Sequence, residues 1–230
     1  MKKRLLLFAA ILVTLNSYSQ TEKGKYMIGG RFNFSGYNSS SVDSLNQFDS
    51  KSNGVQIYPN VGYFIKDNVA IGVSLNIGFS GGDQNSSSSN YTPVLLETHE
   101  YSSINYGAGI FGRYYKKVIN NFYIALAGNI SYNKEVQERE FATNNPNYVF
   151  TTSNPAKQET HINSVSVTFT PVLVYFVTTK LGIEGGFGNI YYSHLKSENI
   201  SISRDNSNES SIYGVNLNST SLFFGLNYYF

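Results

Sequence analysis

The side chains of this sequence that could carry chemistry include three histidines, His99, His161 and His194, which fall in or beside long polar segments. A hydrolase would need one of them in fixed geometry beside a serine or a carboxylate. His161 with Glu159, or His194 alone, are the positions where such a site could be drawn. Serines are abundant throughout the chain, so these pairings have little specificity. We interpret the histidines as solvated loop residues and predict no catalytic residues and no enzyme activity.

Metal and cofactor sites are not indicated either. The chain has no cysteine, which leaves no thiolate ligands and no disulfides. No spacing of histidines or carboxylates matches a metal-ligand set. The glycine-rich stretch 185–188 lies in a predicted strand, where small residues relieve crowding, and does not resemble a phosphate loop. We predict no metal and no cofactor.

Apolar residues at every second position organise the chain. Between residues 69 and 79 the odd positions are all large and apolar, and the even positions are small or polar. A period of two places these two sets on opposite faces of a strand. Eight segments follow this pattern: 24–36, 55–65, 69–79, 103–115, 122–132, 163–176, 181–192 and 213–230. Nothing else in the chain is able to cover the apolar faces, so we expect lipid to cover them.

The connections between these segments alternate in length. Short ones fall at 66–68, 116–121 and 177–180, and long polar ones fall at 37–54, 81–102, 133–162 and 193–212. Short turns at one end and long loops at the other are typical of outer-membrane barrels, and only a closed barrel leaves no unpaired edge in lipid. We predict an all-β, eight-stranded antiparallel up-and-down transmembrane β-barrel with extracellular loops. A soluble lipocalin-like barrel is the alternative, but it would need bulky apolar residues on the inward face.

Residues 1–19 are predicted to be a signal peptide. A basic start is followed by the apolar run 5–15 and the small-x-small pattern Ser17-Tyr18-Ser19. The run is too short to span a bilayer as a helix, which disfavours the alternative of a membrane anchor. Removing it takes three of the 17 basic residues, leaving 14 against 15 acidic ones. The basic balance therefore belongs to the export signal and indicates no nucleic-acid partner. Residues 20–230 are predicted to form one barrel domain.

Aromatic residues cluster near the short-turn ends of the segments. Such residues form girdles where a barrel crosses the membrane interface. We predict a periplasmic aromatic girdle of Tyr63, Phe64, Tyr114, Phe122, Tyr175, Phe176, Tyr228 and Phe230.

The inward faces carry three charged residues, Arg31, Arg113 and Glu184. The interior of an eight-stranded barrel is only just filled by side chains, so this luminal charge cluster is predicted to fill space and fix the packing. A gated ion path is the alternative. Pro59 and Pro171 interrupt two predicted strands, and we expect a local bulge at each because proline cannot donate to a ladder.

Two sequence features resemble a known family. The hairpin PNVGYFIKDNVAIG at 59–72 has a partial second copy beginning at Pro171, and the chain ends in Gly225-x-x-Tyr228-x-Phe230. These resemble the small outer-membrane β-barrel family of Gram-negative bacteria, similar to outer-membrane protein A or X barrels and of the type found in Bacteroidetes. The usual polar residue two places before the glycine is Phe223 here.

The resemblance implies an outer-membrane location with periplasmic termini and contact with outer-membrane lipid and lipopolysaccharide. It also implies that the barrel-assembly machinery reads the C-terminal strand through Gly225, Tyr228 and Phe230. The fold hosts several activities. We expect a non-enzymatic protein whose loops serve interaction with an extracellular partner or envelope integrity. A small pore or a lipid-modifying enzyme is the alternative.

Overall fold

The computed structural model describes residues 20–88, 95–144, 156–186, 188–200, 207–217 and 222–230. The predicted signal peptide lies outside these ranges and stays a prediction. The described chain contains no helix long and apolar enough to cross a membrane. Its strands are β1 (Tyr26–Val42), β2 (Asn46–Lys66), β3 (Val69–Ser88), β4 (Leu95–Ile119), β5 (Phe122–Thr143), β6 (Ala156–Phe176), β7 (Leu181–Gly186), β8 (Asn189–Asn199), β9 (Ser207–Asn216) and β10 (Phe223–Tyr229).

These strands form one antiparallel sheet that closes into a ring. Strands β1 to β6 pair in chain order, and β6 then pairs with both β7 and β8, which follow one another along a single wall. In the same way β9 pairs with β8 and β10 pairs with β7, forming the last wall. Strand β10 pairs with β1 from Met27↔Tyr229 to Phe32↔Phe224. Because β7 with β8 and β9 with β10 each form one interrupted strand, which we call a wall of the barrel like each of β1 to β6, the ten strands form eight walls. This confirms the predicted eight-stranded up-and-down barrel.

The outer face of the barrel carries an exposed apolar band. Outward side chains such as Val73 and Ile110 are 58% and 61% exposed. On β4 the outward positions from Ile104 to Tyr114 are apolar or small, the length that a tilted strand needs to cross a bilayer, ~9–11 residues. Bulky apolar residues face inward mainly at the short-turn end of the lumen. A transmembrane barrel fits this arrangement, and a soluble barrel does not.

The first two short turns are tight and each has an asparagine in a left-handed conformation. Asn68 and Asn120 have φ angles of 64° and 30°, a left-handed region that asparagine tolerates better than most residues. The first turn also holds the N-terminal segment, because the Thr21 hydroxyl donates to Asn68 Oδ1 at 2.6 Å and the Asn68 amide donates to the Thr21 carbonyl at 2.7 Å. All three predicted short connections are found at one end of the barrel.

The predicted long loops are largely strand, which corrects the sequence analysis. β1 and β2 are joined by residues 43–45 alone, and the two strands stay paired out to Val42↔Gln47. Strands β2, β4, β5 and β6 are each 21 to 25 residues long, about twice what a membrane crossing needs. Outside the apolar band both faces of these strands carry mostly polar residues, so apolar and polar side chains do not alternate there. The backbone ladder needs no such alternation and continues.

The change of parity between β7 and β8 has a structural cause. Ile183 of β7 and Ile190 of β8 both face outward although one number is odd and the other even. The register of β6 changes by one residue between Phe169↔Ile190 and Val172↔Gly186, and Gly188 between the two strands has a φ of 73°. This bulge lies opposite Pro171, as expected.

The prediction of a bulge at Pro59 is wrong. Its neighbours Ile57↔Ile77 and Asn60↔Ser74 keep one register between β2 and β3. Pro59 itself pairs with Gly30 of β1. The ladder to β3 omits Tyr58 and Pro59 without a change of register, and proline offers no N–H for a hydrogen bond there.

Candidate functional site

The luminal charges form a buried ion pair near the short-turn end of the barrel. Arg113 Nη1 donates to Glu184 Oε2 at 2.7 Å, and Nη2 lies 3.4 Å from Oε1. Their side chains are 5% and 0% exposed. A two-point arginine–carboxylate contact fixes both planes, and removing either partner would leave a buried charge without compensation.

The backbone of β10 makes room for this pair. Gly225 lies between Glu184 of β7 and Arg31 of β1 in the sheet register. A Cβ on Gly225 would lie 2.8 Å from Glu184 Cγ and 2.8 Å from the Gly30 carbonyl oxygen. The glycine of the predicted assembly signal is therefore also needed for packing inside the barrel.

An apolar plug closes the lumen between the ion pair and the short turns. It consists of fully or almost fully buried inward side chains: Met27, Phe64, Tyr115, Tyr123, Val174, Phe176 and Tyr229. The ring centroids of Phe176 and Tyr229 are 4.9 Å apart, and those of Phe64 and Tyr115 are 5.6 Å apart. Such contacts fill the eight-stranded interior without leaving a channel at this end.

Two predicted girdle residues belong to this plug, so their assignment to the girdle is wrong. Phe64 and Phe176 are both 0% exposed. Consecutive residues of a strand face opposite sides. Once Tyr63 and Tyr175 face outward, Phe64 and Phe176 must face the lumen. Tyr115 and Tyr229 were not predicted as plug residues, although the parity of their positions places them on the inward faces of β4 and β10.

The remaining girdle residues lie on the outer wall. Tyr114, Tyr175, Tyr228 and Phe230 are 43–56% exposed, Tyr63 is 37% exposed, and Phe122 pairs with outward Tyr175. Around the junction of β1, β2 and β10, Tyr26 contacts the rings of Tyr63 and Phe230 at 4.9 and 5.8 Å. They form an aromatic cluster at the short-turn end of the apolar band.

Arg31 lies at the floor of a chamber that occupies the middle of the lumen. Its guanidinium carbon is 4.8 Å from the ring centroid of Phe223 and 5.2 Å from that of Tyr58. The chamber has a volume of about 320 Å³. Its polar lining includes Asn33, Ser74, Asn76, Asn129, Ser131, Asn133, Ser166, Thr168, Thr170 and Asn189.

The three histidines are dispersed over the extramembrane part of the barrel. His99 packs against the Phe141 ring at 4.7 Å, and His161 Nε2 lies 2.7 Å from Glu159 Oε1. His194 Nδ1 lies 3.0 Å from Ser211 Oγ. No group of three or more metal-ligating residues is arranged around an ion site in the described ranges.

No protein-family model matches this sequence, and no curated protein matches it. Solved structures with a similar backbone include a major outer membrane protein from Thermus thermophilus. The identity is 12%, the alignment covers 91% of this chain and 100% of that one, and the TM-score is 0.42. The outer membrane protein OprG from Pseudomonas aeruginosa aligns at 11% identity over 92% of this chain and 98% of that one, with a TM-score of 0.44.

The outer membrane protease OmpT from Escherichia coli also aligns with the barrel. The identity is 10%, the alignment covers 94% of this chain and 96% of that one, and the TM-score is 0.33. These scores are too low to indicate a shared activity. The assignment of the chain as an integral β-barrel of the outer-membrane type rests on its own closed ring and outward apolar band.

Proposed function

We propose that this chain is a non-enzymatic integral outer-membrane protein that presents an extracellular, strand-built wall for surface interaction or envelope integrity. The observation that carries the proposal is the length of the paired strands beyond the apolar band. Strands β2 and β3 stay paired out to Asn46↔Ser88, and β4 and β5 out to Glu97↔Thr143. A hydrogen-bonded wall holds its side chains in fixed relative positions, as a recognition surface requires.

The projecting wall is acidic, which favours cationic surfaces as partners. The described extramembrane residues include eleven carboxylates and only five cations. The carboxylates are Asp43, Asp49, Asp83, Glu97, Glu100, Glu135, Glu138, Glu140, Glu159, Glu198 and Glu209, and the cations are Lys51, Lys134, Arg139, Lys157 and Lys196.

Two ion pairs on this wall show the local effect of opposite charges. Lys157 Nζ lies 2.6 Å from Glu140 Oε1, which raises the pKa of the lysine through that hydrogen bond and charge. Lys196 Nζ lies 2.7 Å from Glu198 Oε1 and lowers the pKa of the carboxyl. Both pairs are exposed, so we expect them to contribute little to the stability of the barrel.

The apolar plug argues for a non-conducting barrel. Phe64, Phe176 and Tyr229 fill the short-turn end of the lumen, and the Arg113–Glu184 pair lies directly beyond them. An ion would have to displace packed rings and separate a buried pair. A small pore is therefore the weaker proposal.

The proposed partners and family follow from the resemblance in the sequence. The outward band and girdle would contact outer-membrane lipid and lipopolysaccharide, and the C-terminal strand ending in Phe230 would be read by the barrel-assembly machinery. Eight strands around the ring suit a barrel of the outer-membrane protein A or X kind, in the form found in Bacteroidetes, and the termini of such a barrel would lie in the periplasm.

The test is complementation of a deletion strain by a barrel with a shortened wall. Residues 38–51 are removed from the β1–β2 hairpin and replaced by a two-residue turn, at the paired positions Tyr37↔Ser52. Heat-modifiable gel mobility would show that the trimmed barrel still folds and inserts. We expect it to fail to restore detergent resistance or cell-surface binding. Full complementation by the trimmed barrel, or a steady single-channel current from the intact one, would contradict the proposal.

A second candidate function is hydrolysis of a lipid ester, favoured by the contact between His194 and Ser211. The pair lies on the outer wall beside Tyr192, whose hydroxyl is 3.4 Å from Ser211 Oγ. A histidine beside a serine hydroxyl is the minimum for a nucleophile. No carboxylate or amide hydrogen-bonded to His194 is found among the described residues.

Labelling with a fluorophosphonate would test this candidate. Wild-type protein would be labelled, Ser211→Ala would not, and Ser210→Ala would serve as the matched neighbour. Absence of label in the folded wild-type barrel would eliminate the candidate.

A further inference from the structure

We propose that the chamber above Arg31 is a binding site for a small organic acid that carries hydroxyl groups. The carboxylate would pair with the Arg31 guanidinium, and the hydroxyl groups would bond to the serine, threonine and asparagine side chains of the chamber wall. This inference is independent of the proposed surface role.

The first support is a cation without a counter-charge. Among the described residues, Glu184 is the one inward carboxylate of the membrane-spanning part, and it is held by two nitrogens of Arg113. The inward Glu135 lies beyond the chamber on the extramembrane part of β5, where it accepts a hydrogen bond from Gln137 at 2.8 Å. The Arg31 guanidinium makes no hydrogen bond or ion pair with any described residue. Arg31, Arg113 and Glu184 therefore give the membrane-spanning part of the lumen one net positive charge, and in a poorly solvated interior such a charge attracts an anion strongly.

The second support is the way Arg31 is held. Phe223 and Tyr58 lie close to its guanidinium, at 4.8 and 5.2 Å from the ring centroids. Aromatic faces stabilise a cation but accept no conventional N–H hydrogen bonds. The guanidinium is thus held in place while its donors stay available, and its planar fork matches the two oxygens of a carboxylate.

The third support is the chemistry of the chamber wall. No Asp or Glu among the described residues lines the chamber, and its polar groups other than Arg31 are hydroxyls and amides, which both donate and accept hydrogen bonds. Its volume of about 320 Å³ lies at the lower end of small-molecule sites, which run from ~300 to 1,000 Å³. A bare inorganic anion would leave most of this wall without a partner, whereas a hydroxylated acid would use it.

The route of entry follows from the plug. Tyr115, Phe176 and Tyr229 close the short-turn side. On the other side, the inward positions of β3 are the small residues Gly78, Ser80 and Gly82, and the polar side chains of Gln56 and Tyr101 pack over the two glycines in place of an apolar plug. With the short turns in the periplasm, the ligand would enter from outside the cell and bind in a cup that does not continue through the barrel.

The experiment is calorimetric titration of the folded barrel in detergent micelles with glucuronate. Glucose tests the need for the carboxylate, acetate tests the need for the hydroxyl groups, and inorganic phosphate tests for a general anion site. We expect saturable binding of glucuronate, at least about tenfold tighter than that of any of the other three probes. Equal binding of glucose or acetate, tighter binding of phosphate, or no binding of glucuronate would overturn the proposal.

Substitution then locates the site. Arg31→Gln is expected to weaken glucuronate binding by about 10- to 100-fold, the usual loss for a charge-assisted hydrogen bond. Arg139→Gln, which removes an exposed arginine of the extramembrane wall, is the matched control and should bind as the wild type does. If Arg31→Gln fails to fold, broadening of the wild-type Arg31 Nε resonance by glucuronate but not by glucose gives the same information. Unchanged binding by folded Arg31→Gln, or an unperturbed resonance, would place the ligand elsewhere and refute the proposal.

Discussion

Two arginines in one narrow lumen have opposite surroundings. Arg113 is matched by Glu184 at 2.7 Å and is almost fully buried. Arg31 has two aromatic rings and a chamber beside it. The charge of Arg113 is neutralised by a carboxylate of the protein itself. The guanidinium of Arg31 makes no ion pair within the described chain and is available to a ligand. The difference separates a structural contact from a candidate binding group.

Replacing Glu184 tests the structural contact. Glu184→Gln removes the counter-charge of Arg113 and leaves a buried cation, so we expect the barrel to lose about 3–5 kcal/mol of stability. Urea unfolding in micelles, followed by heat-modifiable gel mobility, would measure the loss. The matched control is Glu140→Gln, which breaks the exposed pair with Lys157 and should leave the midpoint unchanged. Equal midpoints for both variants would show that the luminal pair does not stabilise the barrel.

Which face a residue occupies follows from the parity of its position, but which residue it contacts across the lumen does not. Arg113 and Glu184 were both assigned inward from alternation alone. Their contact joins β4 to β7, which are not neighbours in the sheet. That distance depends on barrel closure and strand tilt, which no local pattern specifies. The two misplaced girdle residues, Phe64 and Phe176, arose where clustering by residue type was followed in place of parity.

At the scale of the strand, alternation identifies only the part of each wall that has lipid on one side. In β2 the predicted start was residue 55, and the strand begins at Asn46. The missing residues, 46–54, are mostly polar on both faces of the strand. Their strand conformation is inherited from pairing with β1 and β3, a non-local cause. The tight turns, by contrast, were predicted closely because asparagine and short length specify them locally.

The extended strands predict resistance to proteolysis. Trypsin should not cut the folded barrel at Lys51, Lys134 or Arg139, because each lies within a paired strand whose backbone cannot enter a protease cleft. The heat-denatured protein should be cut at all three. Mass spectrometry of the fragments would decide, and rapid cleavage of the native barrel at Lys51 would indicate a loop there.

The stability of the outermost turn, between β1 and β2, should decrease at acidic pH. The backbone amides of Leu45 and Asn46 each donate to Asp43 Oδ1 at 2.8 Å, which lowers the pKa of this exposed carboxyl. A lowered folded-state pKa means that the carboxylate stabilises the turn at pH values above its unfolded pKa of ~3.9. That contribution is lost as the pH falls through the lower, folded value.

Amide hydrogen exchange at Leu45 and Asn46 measures this dependence. Corrected for intrinsic rates, protection should decrease below about pH 4 in the wild type. Asp43→Asn keeps an acceptor oxygen without a titrating group, so its protection should not change over the same range. A wild-type turn whose protection stays constant down to about pH 2 would contradict the assignment.

Across the whole molecule, basic and acidic residues are concentrated at opposite ends of the barrel axis. The short-turn end carries six lysines, Lys23, Lys25, Lys66, Lys116, Lys117 and Lys180, against Glu22 and Asp67. The opposite end carries the acidic wall, and the outward band between them carries no charge from Ile104 to Tyr114 on β4. A protein surrounded by water on every side has no reason to keep such a band uncharged. A protein with lipid around its middle has one, because an ion in hydrocarbon is costly.

Two valines with similar exposure but different heights test this membrane placement directly. Val73 lies in the middle of the apolar band and is 58% exposed, and Val42 lies at the far end of β1 and is 71% exposed. We expect Val73→Arg to destabilise the barrel in lipid vesicles by about 2–4 kcal/mol, the cost of an arginine near the bilayer midplane. Val42→Arg, which places the same side chain in water, should leave the unfolding midpoint where it is. Because neither valine is buried in the protein itself, only the surrounding medium distinguishes the two variants. If both had no effect, the apolar band would have to face water, and the outer-membrane assignment would be wrong.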